Sequence, residues 1–129
     1  MKRIIFFIVL FLGVSQARAQ QSKVLVDNEK LKVTEYLSEP GKDVCGMGKH
    51  SHGEHLTILP GDANVKTTNA DGSIQTENYS AEKHSLTIIK NGVTQQITTD
   101  GTFWIPADTH TVINTGNKTL KCYIIETKH

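Results

Sequence analysis

Residues 49–61, KHSHGEHLTILPG, place His50, His52 and His55 directly before a short apolar run, Leu56 to Leu59, that ends at a Pro60-Gly61-Asp62 turn. Side chains two apart on a strand share a face, so His50 and His52 point the same way. His55 is odd-spaced from His52 and on a regular strand points to the opposite face. That makes it a surface residue, unless a bulge turns it into the pocket as a fourth ligand. A second stretch, GTFWIPADTHTVINTG over residues 101–116, opens another short strand at His110, with Val112 and Asn114 following at the same two-residue step. Three imidazoles converging inside a small β-barrel suit a divalent transition metal: iron, manganese, zinc, nickel or copper.

The rest of the chain reads as strands and turns. Leu31 to Ser38 is a strand ending at Pro40-Gly41, and residues 41–48 form a glycine-rich loop leading to the first histidines. Val65 to Thr68 and Ile74 to Asn78 flank Asn69-Ala70-Asp71-Gly72. Leu86 to Lys90 and Val93 to Thr98 flank Asn91-Gly92, the strongest two-residue hairpin signal present. Thr102 to Ile105, Thr111 to Asn114 and Leu120 to Thr127 complete eight or nine strands. Only Ser80 to Ser85 has room for a helical turn. Short strands, close turns and no amphipathic helix define an all-β sandwich or barrel.

The first nineteen residues stand apart. Lys2 and Arg3 precede an apolar core, Ile4 to Val14, and Ala17-Arg18-Ala19 forms a small-x-small cleavage site. This is the pattern of a secretory signal peptide, residues 1–19, and its apolar part is too short for a membrane anchor. Residues 20–30 then form a polar N-terminal arm in which Lys23 to Asp27 can add an edge strand, and residues 31–129 form one domain. Cleavage removes three of the 14 basic residues and none of the 13 acidic ones, so a formal charge of +1 becomes slightly negative. That balance argues against nucleic acid or an anionic membrane surface as a partner. Export would place Cys45 and Cys122 in an oxidising compartment, where the pair can form a disulfide. The rival reading puts a thiol beside the metal, because Cys45 precedes His50 by only five residues.

These residues resemble the cupins, small jelly-roll barrels with two motifs that carry metal ligands. His50-Ser51-His52 with Gly61 matches the H-x-H and closing glycine of the first motif. Gly101, Pro106, His110 and Asn114 follow the second motif, with both gaps one residue short and Asp108 where a glycine is usual. The likeness spans roughly residues 30–127. It implies a single-domain cupin-type jelly-roll β-barrel, a metal on His50, His52 and His110, and a homodimer paired through outer strands. The family's glutamate ligand would fall at Leu56 or Thr57, so the expected set is histidines alone, as in some cupins with dioxygenase activity. Glu54 is the nearby acid, at the wrong spacing.

Other residues receive plainer readings. Trp104 is a core or barrel-mouth residue beside the second motif, and an aromatic wall for a pocket. Asn114 either borders that pocket or ties down a turn. Glu126 shares a face with Cys122 and Ile124, which allows an inward carboxylate. His84 and His129 have no motif around them and are expected in solvent. No Ser-His-Asp grouping, phosphate loop or paired-carboxylate spacing is present, so hydrolysis and phosphoryl transfer lack support. Two functions fit: a metal-dependent enzyme oxidising or isomerising a small organic molecule, or a non-catalytic cupin binding a small ligand or metal.

Overall fold

The computed structural model describes residues 21–129, so the expected signal peptide lies outside the described residues. Eleven strands follow in order: β1 Gln21–Asp27, β2 Leu31–Ser38, β3 His50–His52, β4 His55–Ile58, β5 Ala63–Asn69 and β6 Ile74–Ser80. Then come β7 Ser85–Lys90, β8 Val93–Thr98, β9 Thr102–Ile105, β10 Asp108–Asn114 and β11 Leu120–Thr127. No described residue is helical; residues 81–84 form a turn.

Two antiparallel sheets share these strands. One runs β1-β2-β11-β4-β9 and the other β3-β10-β5-β6-β7-β8. The Asn91-Gly92 hairpin joins β7 to β8 with both residues at positive φ (52° and 75°), as a mirror-image two-residue turn requires. Alternate residues of each sheet turn inward. Tyr36, Leu120, Cys122 and Ile124 from the first sheet meet Ala63, Tyr79 and Leu86 from the second in one buried core. Tyr79 and Phe103 close edge to face across it, ring centres 6.1 Å apart. The fold is all-β, as the pattern of short strands and turns implied, and it is the jelly roll that the cupin resemblance implied.

The histidine stretch departs from the single strand read from the sequence. His50–His52 and His55–Ile58 are separate strands in different sheets: β3 pairs with β10, and β4 lies between β11 and β9. The chain crosses from one sheet to the other at Gly53-Glu54, so the two-residue alternation restarts at His55. His55 is therefore inward and only 2% exposed, correcting its expected surface position.

The loop before β3 is held along the same edge of β10. Val44 donates its backbone N–H to Val112 (2.7 Å), and Asn114 donates its own to Lys42 (2.9 Å). Asp43 accepts from the N–H groups of Cys45 and Gly46 at 2.9 and 2.7 Å, which fixes Cys45 over the interior. Asn114 is fully buried. Its amide donates to Ser38 O and Lys118 O, and its oxygen accepts from Gly116 N–H. It pins the β10–β11 turn and is not part of the cavity wall.

Candidate metal centre and cavity

The crossing of the chain gathers four imidazoles. Ring centres lie 4.7 Å apart for His50 and His52, 4.9 Å for His50 and His110, 5.7 Å for His52 and His110, and 4.9 Å for His52 and His55. Ligands at about 2.1 Å from one ion, about 90–110° apart, would put imidazole centres about 4.5–5.2 Å from each other. Three of the four spacings fall in that range, and the fourth is slightly wider.

Each ring is oriented through the same nitrogen. His50 Nδ1 donates to Gly48 O and His55 Nδ1 to Gly53 O, both at 2.7 Å. His110 Nδ1 meets Asp108 Oδ2 at 2.7 Å, and His52 Nδ1 meets Glu126 Oε1 at 3.1 Å. Carbonyls and carboxylates only accept, so the proton sits on Nδ1 and the Nε2 lone pair is left free. Outer partners of this kind hold metal-binding imidazoles in one tautomer and one orientation. Three of the four partners lie two residues before their histidine, so the strand supplies them locally. The fourth, Glu126, comes from the far end of β11.

The consequence is clearest between His50 and His52, whose Nε2 atoms are 2.9 Å apart. Two lone pairs at that distance repel unless a proton or a cation lies between them. Two nitrogens bound to one ion at about 2.1 Å and about 90° would be about 3.0 Å apart. Burial pushes the His52 imidazolium below its usual pKa, the proximity of His50 and His55 adds to this, and the Glu126 hydrogen bond opposes it. A second proton is disfavoured there, and a metal ion would relieve the repulsion.

Cys45 joins the cluster, with Sγ 3.7 Å from His52 Nε2. Cys45, His50 and His52 offer ligand atoms all within 4.8 Å of one another. Burial, followed by the neighbouring Cys122, pushes the Cys45 thiol far above its usual range, which opposes the thiolate a metal needs. His50 and His52 have free Nε2 lone pairs, and the rings of His110 and His55 lie beside them without joining this close set of ligand atoms. Cys122 is also buried, its thiol pushed up to about 12 by burial. Both cysteines are free, so the bridge allowed by their even count is absent from this structure. The thiol-beside-histidine alternative describes the geometry better.

His55 and His110 border a cavity of about 400 Å³ between the sheets. Its walls are mainly apolar, with Val65, Leu86, Ile88, Ile97 and Phe103 among them. Trp104 contributes to the wall but is 55% exposed. Glu54 pairs with His129 outside the site, and His84 pairs with Asp100 on the surface. The sequence reading singled out Glu126 without a role. It passed over Glu77, which lines the cavity, because a lone glutamate in a β6 pattern of alternating exposure carries no signal of its own.

No protein-family model matches this chain, and no curated protein matches it. Solved structures do. A cupin domain from Bordetella pertussis is 23% identical with a TM-score of 0.60, covering 86% of this chain and 95% of that one. A cupin family protein with a double-stranded β-helix fold from Methanocaldococcus jannaschii is 12% identical with a TM-score of 0.53, covering 100% and 93%. The polyketide cyclase RemF from Streptomyces resistomycificus is 14% identical with a TM-score of 0.52, covering 87% and 67%. Two facing antiparallel sheets, histidines on facing strands and these matches lead to one statement of kinship: the chain has the cupin fold.

Proposed function

We propose that this protein is an exported cupin that holds one divalent transition metal on His50, His52 and His110, with His55 as a fourth donor. The metal would present its open side to a small organic molecule in the adjoining cavity. One observation carries the reading: all four imidazoles are tied through Nδ1, which leaves each Nε2 lone pair free, and the Nε2 atoms of His50 and His52 lie 2.9 Å apart. A metal bound there would act as a Lewis acid toward an oxygen donor of the ligand, and iron would add redox chemistry. The chain's own contribution is orientation and exclusion of water. Asp108 and Glu126 hold two of the rings, Gly48 and Gly53 hold the other two, and the apolar walls keep the ligand's body dry. The polyketide cyclase among the matching structures is a case of this fold carrying an enzyme, which supports a catalytic reading without selecting the reaction.

Elemental analysis of the untagged protein tests this reading. About one metal ion per chain is expected, lost in His110→Ala while circular dichroism still shows the sheets. Metal content that His110→Ala leaves unchanged would overturn it.

A further inference from the structure

Away from the histidines, the cavity contains a carboxylate that the metal reading leaves without a role. Glu77 lies on β6 and turns inward with Gln75 and Tyr79. Its Oε1 accepts from Thr67 Oγ1 at 2.9 Å and from Gln75 Nε2 at 2.8 Å. Its other oxygen, Oε2, has no hydrogen-bond partner among the described residues. A carboxylate held by two neutral donors, with one oxygen free toward a cavity, has its orientation fixed but its charge unanswered. No lysine lines the cavity, and residues 20–129 contain no arginine at all. The other acid in the wall, Asp108, binds His110 Nδ1 through Oδ2 at the histidine end of the cavity, while its Oδ1 is buried without a hydrogen-bond partner among the described residues.

Position adds a second constraint. Thr67 pairs with Val112, one strand over and two residues along from His110. Strands about 4.8 Å apart with about 3.4 Å of rise per residue put Thr67 and His110 on the order of 8 Å apart at Cα. Val112 faces Thr67 across the strand pair, and Val65 and Ile88 flank Glu77 on the neighbouring strands, so the wall around the carboxylate is apolar.

We infer that Glu77 is the recognition point for the cationic end of the ligand. The ligand class is then a short apolar chain or ring with an ammonium or guanidinium group at one end. At the other end it carries a carboxylate or similar oxygen donor for the metal. The oxygen-donor end rests on the metal reading above; the cationic end rests on Glu77 alone. Thr67 and Gln75 act as positioning residues, since they touch the carboxylate and fix the direction of its free oxygen.

Three probes of equal length separate the two ends: caproate, hexylamine and ε-aminocaproate, titrated calorimetrically into the protein with and without zinc. The expected result is that ε-aminocaproate binds the zinc-loaded protein about tenfold more tightly than caproate, one charge-assisted hydrogen bond's worth. Hexylamine should bind whether or not zinc is present. Glu77→Gln keeps the acceptor for Thr67 and Gln75, and should bring ε-aminocaproate down to the affinity of caproate without changing caproate itself. Equal affinity of caproate and ε-aminocaproate in the unmodified protein, or a preference that survives Glu77→Gln, would overturn the inference. Hexylamine binding that Glu77→Gln abolishes, with caproate indifferent to zinc, would uphold Glu77 and sink the metal reading instead.

Discussion

His52 shows how much one side chain can be asked to do. Its ring is buried, its Nδ1 is tied to Glu126, and its Nε2 is 2.9 Å from that of His50. Burial depresses its pKa below the usual 6.5, so in the metal-free protein the unfolded chain takes up a proton before the folded one does. The stability this neutral ring contributes is fully present above about pH 6.5 and is lost as pH falls from there through the depressed folded value. Thermal melts of chelator-treated protein should therefore show Tm falling as pH drops below about 6.5. Glu126 favours the charged ring, so Glu126→Gln should deepen that fall. A Tm profile identical in the two proteins would mean that Glu126 does not act on His52. The sequence allowed Glu126 an inward carboxylate, on the face of Cys122 and Ile124, but could not say which histidine it would meet, since the two residues are 74 apart.

Among the elements, the junction of β4 and β9 is the least forgiving. Gly101 sits at φ +85°, and a Cβ there would lie 2.4 Å from Leu59 O and 2.8 Å from the Tyr79 hydroxyl. Its carbonyl also accepts from Leu59 N–H at 2.7 Å, which ties the start of β9 to the end of β4. Gly101→Ala combines a left-handed backbone with a backbone clash, and should cost more than about 2 kcal/mol. The urea midpoint should fall with an unchanged slope, and an unmoved midpoint would refute the clash. Here the sequence was readable: Asp100-Gly101 marked the turn and Thr102 to Ile105 the strand. The split of the histidine segment was harder to see. Nothing in Gly53-Glu54 announces a change of sheet, because the crossing is set by which strands are available as neighbours.

At the scale of the molecule, β1 is exposed along its whole length and carries Val24, Leu25 and Val26 at the edge of a sheet. Among the described residues it pairs only with β2, with a shift in register between Val24 and Val26. An apolar edge strand with unpaired backbone groups is an open template for another strand. That supports the homodimer expected from the cupin resemblance, with β1 exchanged or paired between copies. Light scattering should give twice the mass of the chain, and Val24→Lys should shift it toward the monomer. A monomer at working concentration would remove the dimer.

The sequence by itself determined the class of the fold and most of its strands and turns. Alternating short strands, Asn91-Gly92, Pro60-Gly61 and Asp100-Gly101 are local signals, and local signals survive without a partner. It also singled out His50, His52 and His110 as candidate ligands, because a two-residue step and a familiar motif are local as well. The tertiary structure decided the rest. It turned His55 inward by moving the chain between sheets, brought Cys45 to His52, left Cys45 and Cys122 as free thiols, and assigned Asn114 to a turn and Glu77 to the cavity. These outcomes depend on register and on which strands face each other. Both are set by burial of the whole apolar set at once, a quantity that no single stretch of residues contains.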